Sequence, residues 1–286
     1  MPGRMQGKVA LITGAARGQG RSHAVALARE GADIIAVDVC SQIKSVPYAM
    51  ATEADLAETV RLVEALDRRI VARVADVRDR GALSAAVEAG VAELGHLDVV
   101  VANAGIISLG KGIPVTAFLD CVSVDLVGVI NMVEAAFPYL GAGASVICIG
   151  SMAAMMPGAA AKDAPGTAGY SHAKRAVARF AHDLAQAAAP SGIRVNAVHP
   201  GNIDTDMLQN EAMYRQFRPD LEQPARDDVQ AAFGSMHALP VNTLDPADIS
   251  EAVLYLASDA SRYVTGQQLK VDAGALLAVT SAGAPS

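Results

Sequence analysis

A tyrosine and a lysine lie four residues apart in the segment Tyr170-Ser-His-Ala-Lys174. Residues at i and i+4 lie one turn apart on the same face of an α-helix. A phenol is a poor base near neutral pH, since its reference pKa is about 10, but a neighbouring ammonium group favours the phenolate. The pair could therefore accept the proton of a substrate hydroxyl. Such pairs are also common on surface helices, so this pair alone does not establish a site.

A serine precedes the pair at the end of the apolar run Ala144–Ser151. Apolar runs of this length, rich in Val and Ile, are typical of buried strands. A hydroxyl at a strand end could donate a hydrogen bond to a substrate oxygen as negative charge develops there. Ser151 is therefore the third residue of the predicted catalytic group.

A glycine-rich turn follows the first apolar run, in the order Thr13-Gly14-Ala-Ala-Arg17-Gly18-Gln19-Gly20. Glycines at 14, 18 and 20 permit a tight turn and let backbone N–H groups approach a pyrophosphate at a helix N-terminus. The spacing is GxxxGxG rather than GxGxxG, and a glycine-rich turn without a ligand is the alternative interpretation.

The next predicted strand ends in an aspartate, Asp38, about 20 residues after the glycine turn. A carboxylate at this place accepts hydrogen bonds from the adenosine ribose and repels a 2′-phosphate. Asp38 therefore favours NAD over NADP. Arg17 is a contrary signal because an arginine near the ribose could pair with a 2′-phosphate, but we expect Asp38 to lie nearer the 2′ position.

The elements that must position these residues alternate along the chain. The predicted strands are Lys8–Thr13, Asp33–Asp38, Ile70–Asp76, Leu97–Asn103, Ala144–Ser151, Arg194–His199 and Gln268–Asp272. Segments long enough for crossover helices lie between them, among them Arg21–Glu30, Ala82–Leu94 and Tyr170–Ala189. Continuously apolar strands indicate a parallel sheet covered on both faces. We predict an α/β fold: a Rossmann-type, doubly wound parallel sheet of about seven strands with helices on both faces.

The chain of 286 residues suits one large domain, residues 1–286. Two segments exceed normal loop length: a predicted insertion at 40–69, with a helical pattern from Asp55 to Leu66, and a segment at 206–244. Long segments at the ligand end of such a sheet are often lids or specificity loops, so we expect 206–244 to be a substrate lid. A merely decorative insertion is the alternative for both.

Composition narrows the class of protein. The formal net charge of −7 argues against nucleic acid as a partner. Three separated cysteines are typical of a reduced, cytoplasmic protein, and residues 1–8 carry no apolar run that would indicate a secretory signal. The uncharged segment Ala135–Ala161 is long enough to span a bilayer, but prolines and glycines interrupt it. We therefore expect no membrane association and interpret that segment as a helix end, a turn, a strand and a loop.

The ordered motifs together resemble the short-chain dehydrogenase/reductase superfamily over nearly the whole chain. The matching pieces are TGAARGQG, Asp76-Val77, Asn103-Ala104-Gly105, Ser151, Tyr170…Lys174, Pro200-Gly201 with Thr205, and the closing Val264-Thr265-Gly266…Val271-Asp272-Ala273-Gly274. The resemblance implies an NAD-dependent alcohol dehydrogenase or ketone reductase with Ser151, Tyr170 and Lys174 as catalytic residues. It also implies a homotetramer, with Asp120–Leu140 and Tyr170–Ala189 as long interface helices.

The resemblance further implies which residues bind the cofactor. Asp76 and Val77 would flank the adenine, Asn103–Gly105 would stabilise the sheet beside the cofactor, and Thr205 would hold the nicotinamide carboxamide. The predicted cofactor-binding residues are Gly14, Arg17, Gly18, Gln19, Gly20, Asp38, Asp76, Val77, Asn103, Ala104, Gly105, Tyr170, Lys174, Pro200, Gly201, Ile203 and Thr205. No metal site is expected. His172 and His199 match no catalytic position of the superfamily, and we expect them to be packing or hydrogen-bonding residues.

A closer likeness is carried by the segments 15–25 and 31–38, together with the insertion after Cys40. These are similar to the mycofactocin-coupled, carveol dehydrogenase-like branch. That likeness implies tightly held NAD and electron transfer to mycofactocin, a peptide-derived carrier.

Two departures from the family pattern stand out. Asp125, in Val124-Asp125-Leu126-Val127-Gly128-Val129, occupies the place of the family's catalytic asparagine. That asparagine acts largely through its backbone carbonyl, which an aspartate could keep while adding a charge. An ionised Asp125 would partly cancel the field of Lys174 at Tyr170. The second departure is an apparent insertion at Pro157–Ala168, which could narrow or cover the substrate pocket.

The predicted substrate is a secondary alcohol or ketone of apolar, terpenoid- or steroid-like character. Met152, Met155, Met156, Met207, Met213, Tyr214 and Phe217 are candidates for an adaptable apolar pocket, although core packing would explain any one of them. The alternatives are a non-catalytic NAD-sensing or scaffold protein, which Asp125 alone favours, and a ketoacyl reductase, which Asp38 disfavours.

Overall fold

Seven parallel strands form one sheet in the computed structural model, which describes residues 3–110, 112–156 and 164–277. The strands are β1 Val9–Thr13, β2 Asp33–Asp38, β3 Ile70–Val74, β4 Leu97–Ala102, β5 Leu140–Ile149, β6 Arg194–Pro200 and β7 Gln268–Val271. Their order in the sheet is β3-β2-β1-β4-β5-β6-β7. From β1, strands β2 and β3 are added on one side of the sheet, and β4 to β7 are added on the other. The switch point between β1 and β4 is where such sheets bind ligands. The predicted Rossmann-type fold is confirmed.

Helices cover both faces of the sheet. They are α1 Gly18–Arg29, α2 Glu53–Glu64, α3 Arg80–Leu94, α4 Thr116–Val122, α5 Gly128–Ala136, α6 Pro165–Ala188, α7 Glu211–Phe217, α8 Arg226–Gly234 and α9 Pro246–Ala257. The two faces bury two separate cores. Leu11 of β1 packs in one of them with residues of α3, α5 and α6, and its neighbour Ile12 packs in the other with residues of α1 and α9. Successive strand residues point to opposite faces, so both must be apolar.

Two predicted boundaries beside the site differ from the structure. Strand β5 begins at Leu140 rather than Ala144. The sequence did not indicate this start, because residues 141–143 are exposed and carry no apolar pattern. Helix α6 begins at Pro165 rather than Tyr170, since proline is well suited to the first helical turn. Tyr170 therefore lies in the second turn of α6, and Ser151 lies two residues beyond β5.

The helix expected over Asp120–Leu140 is part of an unbroken helical stretch, Thr116–Tyr139, but it is not α-helical throughout. A π-helical turn, Ser123–Val127, joins α4 to α5, and a 3-10 turn follows α5 at Phe137–Tyr139. Single π-turns inside α-helices are rare and occur frequently at functional sites. This π-turn contains Asp125.

The segment Ala135–Ala161 has the predicted structure as far as it is described: the end of α5, a turn, β5 and a 3-10 turn at Met152–Ala154. A different stretch, Thr116–Tyr139, is long and apolar enough to cross a membrane by length and composition. It consists of α4, the π-turn and α5, which pack against α6 and α3. Half of its most apolar window is buried, as in a core helix.

Candidate active site

The glycine turn lies where the sheet order reverses, between β1 and the start of α1. Gly14 and Gly18 adopt φ values of +67° and +54°, which side chains disfavour. A Cβ atom on Gly20 would lie 1.9 Å from the carbonyl oxygen of Gly14, so only glycine fits there. The turn thus exposes backbone at the N-terminus of α1, as a pyrophosphate site requires.

One cleft at this edge of the sheet brings together most of the predicted cofactor-binding residues. Those that line it are Gly14, Arg17, Gly18, Gln19, Gly20, Asp38, Asp76, Val77, Asn103, Ala104, Gly105 and Thr205. These residues fit a dinucleotide, because the same cleft is lined by a glycine turn at a helix N-terminus and by a carboxylate, Asp38, at the end of β2. Pro200, Gly201, Ile203 and Tyr170 line a second, adjoining cleft instead. Lys174 is buried and lines neither cleft.

Asn103 joins the two strands beneath the cofactor cleft. Its side-chain amide donates to the carbonyl oxygen of Thr13 at 2.9 Å, and its backbone N–H donates to the Thr13 hydroxyl at 3.2 Å. These bonds tie the end of β4 to the end of β1. They support the stabilising role that the resemblance implies.

Asp38 and Arg17 have different surroundings. The Asp38 carboxylate accepts the backbone N–H of Ala16 at 3.0 Å and that of Cys40 at 3.1 Å. The Arg17 guanidinium donates to the carbonyl oxygen of Ala49 and pairs with Asp206 at 2.9 Å. The Arg17 guanidinium is therefore already paired within the chain, with the Ala49 carbonyl and the Asp206 carboxylate. This weakens the argument that Arg17 would pair with the 2′-phosphate of NADP.

Sequence reasoning missed how the insertion meets the cofactor cleft. Ile43, Met50 and Ala51 line the cleft, and the hydroxyl of Tyr48 accepts the backbone N–H of Ile107 at 3.3 Å. The helical pattern in the second part of the insertion was predicted, and it is α2. The first part has no regular structure, so its only signal was the apolar residue types within a loop.

Tyr170, Lys174 and Ser151 lie together at the end of β5. The Nζ atom of Lys174 lies 5.7 Å from the centre of the Tyr170 ring and donates to the carbonyl oxygen of Ile149 at 3.0 Å. The Ser151 hydroxyl oxygen accepts the backbone N–H of Ala153 at 3.1 Å. A hydroxyl donates as well as accepts, so this bond leaves its proton for a second partner.

Without a bound cofactor, burial is the main influence on the pKa of Tyr170. It raises the pKa of Tyr170, the Ser151 hydroxyl opposes that rise, and Asp125 and Cys121 add to it. The phenol is therefore protonated at neutral pH when the protein stands alone. Positive charge that enters the site would add to the opposing effect of Ser151.

Asp125 is fully buried, and one carboxylate oxygen accepts the backbone N–H of Ile106 at 2.7 Å. The other carboxylate oxygen, Oδ2, has no hydrogen-bond partner within the described residues. A Cβ atom on Gly105 would lie 3.1 Å from Asp125 Oδ1 and 3.2 Å from Lys174 Nζ, so both groups lie where a side chain at 105 would project. Burial raises the pKa of Asp125 to about 7, although Lys174 and the Ile106 N–H lower it.

The second cleft contains two of the predicted catalytic side chains. Ser151 and Tyr170 line it together with Met152, Met156, Met207, Met213 and Phe217. Of the seven apolar candidates, Met155 and Tyr214 do not line it, and the Tyr214 hydroxyl instead donates to Gln209 at 2.9 Å. The predicted lid supplies four of the lining residues, Leu208 being the fourth. The predicted insertion Pro157–Ala168 lies outside the described residues at 157–163, and α6 begins within its remainder.

The two clefts are continuous, since Gln19, Thr205 and Met207 line both. Within residues 3–110, 112–156 and 164–277, no group of three or more His, Cys, Asp or Glu side chains could hold a metal ion.

Comparison with known proteins places the chain in a family. Residues 14–275 match the model of a family described as enoyl-(acyl carrier protein) reductase. The chain is 43% identical to (-)-trans-carveol dehydrogenase of Rhodococcus erythropolis, over 96% of this chain and 99% of that protein.

Two solved structures are similar over 96% of this chain and 99% of each neighbour. Carveol dehydrogenase from Mycobacterium avium, in complex with NAD, is 48% identical with a TM-score of 0.91. A short chain dehydrogenase from Mycobacterium paratuberculosis, bound to NAD, is 41% identical with a TM-score of 0.84. The expected superfamily and its carveol dehydrogenase-like branch are thereby confirmed. The chain belongs to the short-chain dehydrogenase/reductase superfamily and is an NAD-dependent dehydrogenase of its carveol dehydrogenase-like branch.

Proposed function

We propose that the enzyme interconverts a secondary alcohol and a ketone of apolar, terpenoid- or steroid-like character, with Tyr170 as the acid/base. The observation that carries the proposal is the second cleft, where Tyr170 and Ser151 are placed among methionines and a phenylalanine. Apolar pockets with a few convergent polar groups are typical of small-molecule sites. The name of the Rhodococcus relative, a carveol dehydrogenase, supports a small apolar alcohol.

Each catalytic residue has one task in the proposed reaction. Tyr170 takes the proton of the substrate hydroxyl, and Ser151 donates a hydrogen bond to the same oxygen. Lys174, anchored to the Ile149 carbonyl, supplies positive charge that favours the phenolate. Asp125 contributes its backbone carbonyl from the π-turn. When bound, NAD supplies the hydride acceptor and a positively charged ring beside the phenol.

The proposed cofactor-binding residues divide into three sets. The glycine turn and Asp38 would hold the pyrophosphate and the adenosine ribose. Asp76 and Val77 would flank the adenine, while Asn103–Gly105 support the strand ends. Tyr170, Lys174, Pro200, Gly201, Ile203 and Thr205 would surround the nicotinamide end.

We also propose that NAD stays bound through many turnovers and passes its electrons to mycofactocin. The contacts of Arg17 support this, because they join the insertion at Ala49 to the lid at Asp206 beside the cofactor cleft. An enzyme that retains its cofactor needs an electron acceptor that comes to the site. We expect it to act in the cytoplasm as a single-domain protomer, with lid 206–244 over the substrate.

The test is a screen of secondary alcohols by two parallel assays, reduction of a redox dye and release of free NADH. We expect apolar cyclic alcohols to reduce the dye while little free NADH accumulates. Tyr170→Phe is the control, which should abolish both signals. Dye reduction by Tyr170→Phe at the wild-type rate would contradict the proposed chemistry, and dye-independent release of NADH would contradict retention.

A further inference from the structure

His199 contacts the backbone of Ser151 from the neighbouring strand. It lies near the end of β6, is completely buried, and places Nδ1 3.3 Å from the backbone nitrogen of Ser151 and 3.1 Å from its carbonyl oxygen. A Cβ atom on Gly150 would lie 2.4 Å from Nδ1, so the ring fills the space that a side chain at 150 would need. Glycine at 150 is thus required by the ring.

The other ring nitrogen is held by Gln268. The Gln268 amide nitrogen donates to the carbonyl oxygen of Ala178 at 3.1 Å, which directs its Oε1 atom to His199 Nε2 at 2.7 Å. Since Oε1 can only accept, Nε2 must carry a proton. A neutral ring protonated at Nε2 leaves Nδ1 as an acceptor, and the Ser151 N–H is the donor that faces it.

The surroundings of the ring keep it neutral. Burial lowers the pKa of His199, and the positive charges of Lys174 on α6 and Lys270 on β7 lower it further. The contacts with Gln268 and Ser151 oppose this shift without reversing it. The lowered pKa favours the neutral ring and, with it, the acceptor at Nδ1.

These hydrogen bonds connect the segment that carries Ser151 to helix α6. Ala178, which anchors Gln268, belongs to α6, the helix that carries Tyr170 and Lys174. Lys174 itself holds the carbonyl oxygen of Ile149, two residues before Ser151. Helix α6 thus fixes the segment that carries Ser151 from two sides, directly through Lys174 and indirectly through Gln268 and His199.

We propose that His199 is a positioning residue for Ser151, which it holds at the distance from Tyr170 that the reaction needs. The inference rests on the proposed function, in which the Ser151 hydroxyl contacts the substrate oxygen. Small displacements of a catalytic group cost up to about 10²-fold in rate. We therefore expect His199→Leu to lower kcat by roughly 10-fold or more while NAD binding is unchanged.

The test is a double-mutant cycle with Ser151→Ala. If His199 acts through Ser151, His199→Leu should change kcat by less than about twofold in the Ser151→Ala background. His199→Asn should recover part of the lost rate, because its amide oxygen can accept the Ser151 N–H. Equal losses from His199→Leu in both backgrounds, or no loss in either, would overturn the proposal.

A second experiment leaves the buried His199 ring in place and changes its partner Gln268. Gln268→Glu places a carboxylate against Nε2 and raises the pKa of the histidine. As the pH falls, Nδ1 then becomes a donor, loses the Ser151 N–H and turns to the Ser151 carbonyl oxygen, which displaces the segment that carries the hydroxyl. We expect a new loss of kcat on the acid side of the pH profile, absent from wild type and from the matched control Gln268→Leu. Superimposable profiles of the two Gln268 variants would overturn the positioning role alone. A wild-type enzyme that turns over no alcohol would overturn the proposed function as well.

Discussion

Arg17 and Asp206 form an ion pair of 2.9 Å, and both residues line the cofactor cleft. Arg17 belongs to the glycine turn, and its guanidinium also donates to the carbonyl oxygen of Ala49 in the insertion. Three separate segments therefore meet at one guanidinium group. The segment 206–244 and the insertion are thus joined beside the cofactor cleft.

This ion pair should slow the release of NAD. Partly exposed pairs contribute about 0.2–1 kcal/mol, so Asp206→Asn should increase the NAD dissociation rate by at most roughly fivefold. Arg17→Ala should increase it further, since both contacts are lost. The rate can be measured by exchange of bound cofactor for labelled NAD. Arg226→Ala is the matched control, because Arg226 in the lid pairs at 2.6 Å with Asp204, just before the lid, and lines neither cleft. Equal rates in all variants would contradict a role of the pair in retention.

Asp38 should determine the preference for NAD over NADP. Wild type should bind NAD well and NADP poorly, and Asp38→Ala should narrow that gap by removing the charge that repels a 2′-phosphate. The carboxylate also anchors Ala16 and Cys40, so Asp38→Asn serves as the variant that keeps an acceptor without the charge. Titration of both nucleotides into the cofactor-free proteins measures the effect. Equal affinities of wild type for the two nucleotides would refute it.

Asp125 should make alcohol oxidation depend on pH near neutrality. Its pKa is about 7, so below that value the side chain is neutral and above it the carboxylate raises the pKa of Tyr170. In Asp125→Asn, which keeps an acceptor for the Ile106 N–H, the basic limb of the kcat profile should therefore move to lower pH. Turnover at neutral pH should be equal or improved. The two profiles should converge on the acid side of pH 7 and separate above it.

Thermal unfolding provides an independent check on the same ionisation. The folded-state pKa of Asp125 is raised above its ordinary value of about 4. Its contribution to stability is therefore fully present below pH 4 and is lost as the pH rises through 7. The Tm of Asp125→Asn relative to wild type should increase between pH 4 and pH 7 and level off above. A constant difference would mean that Asp125 does not titrate in this range.

Exposed apolar side chains should mediate the expected homotetramer. Leu119, Val127 and Ile130 are 60%, 41% and 37% exposed on α4, the π-turn and α5. We expect light scattering to report a tetramer at micromolar concentration and Leu119→Glu to shift it to a smaller species. Leu239→Glu, at an equally exposed leucine between α8 and α9, is the control. A wild-type monomer would contradict the prediction.

The sequence predicted the sheet, the glycine turn and the catalytic group because these depend on local pattern. Continuous Val/Ile runs specify buried parallel strands, and the Tyr170–Lys174 spacing follows from helix geometry. The insertion was harder, since the packing of Ile43, Tyr48 and Met50 against the site depends on contacts distant in sequence. His199 was expected to be a local packing or hydrogen-bonding residue. Its bond to Ser151 follows from the pairing of β5 with β6, which the order of the strands along the chain does not reveal.

The most direct test of the central claim is a single turnover of the enzyme-bound cofactor. An apolar secondary alcohol is mixed with the NAD-loaded enzyme, and the absorbance of bound NADH is followed without any acceptor. We predict that wild type reduces its bound NAD rapidly. Tyr170→Phe, with normal NAD binding and an unchanged fold, should do so roughly 10²-fold or more slowly, as loss of a proton-transfer group requires. Reduction by Tyr170→Phe at the wild-type rate would contradict the assignment of Tyr170 as the acid/base.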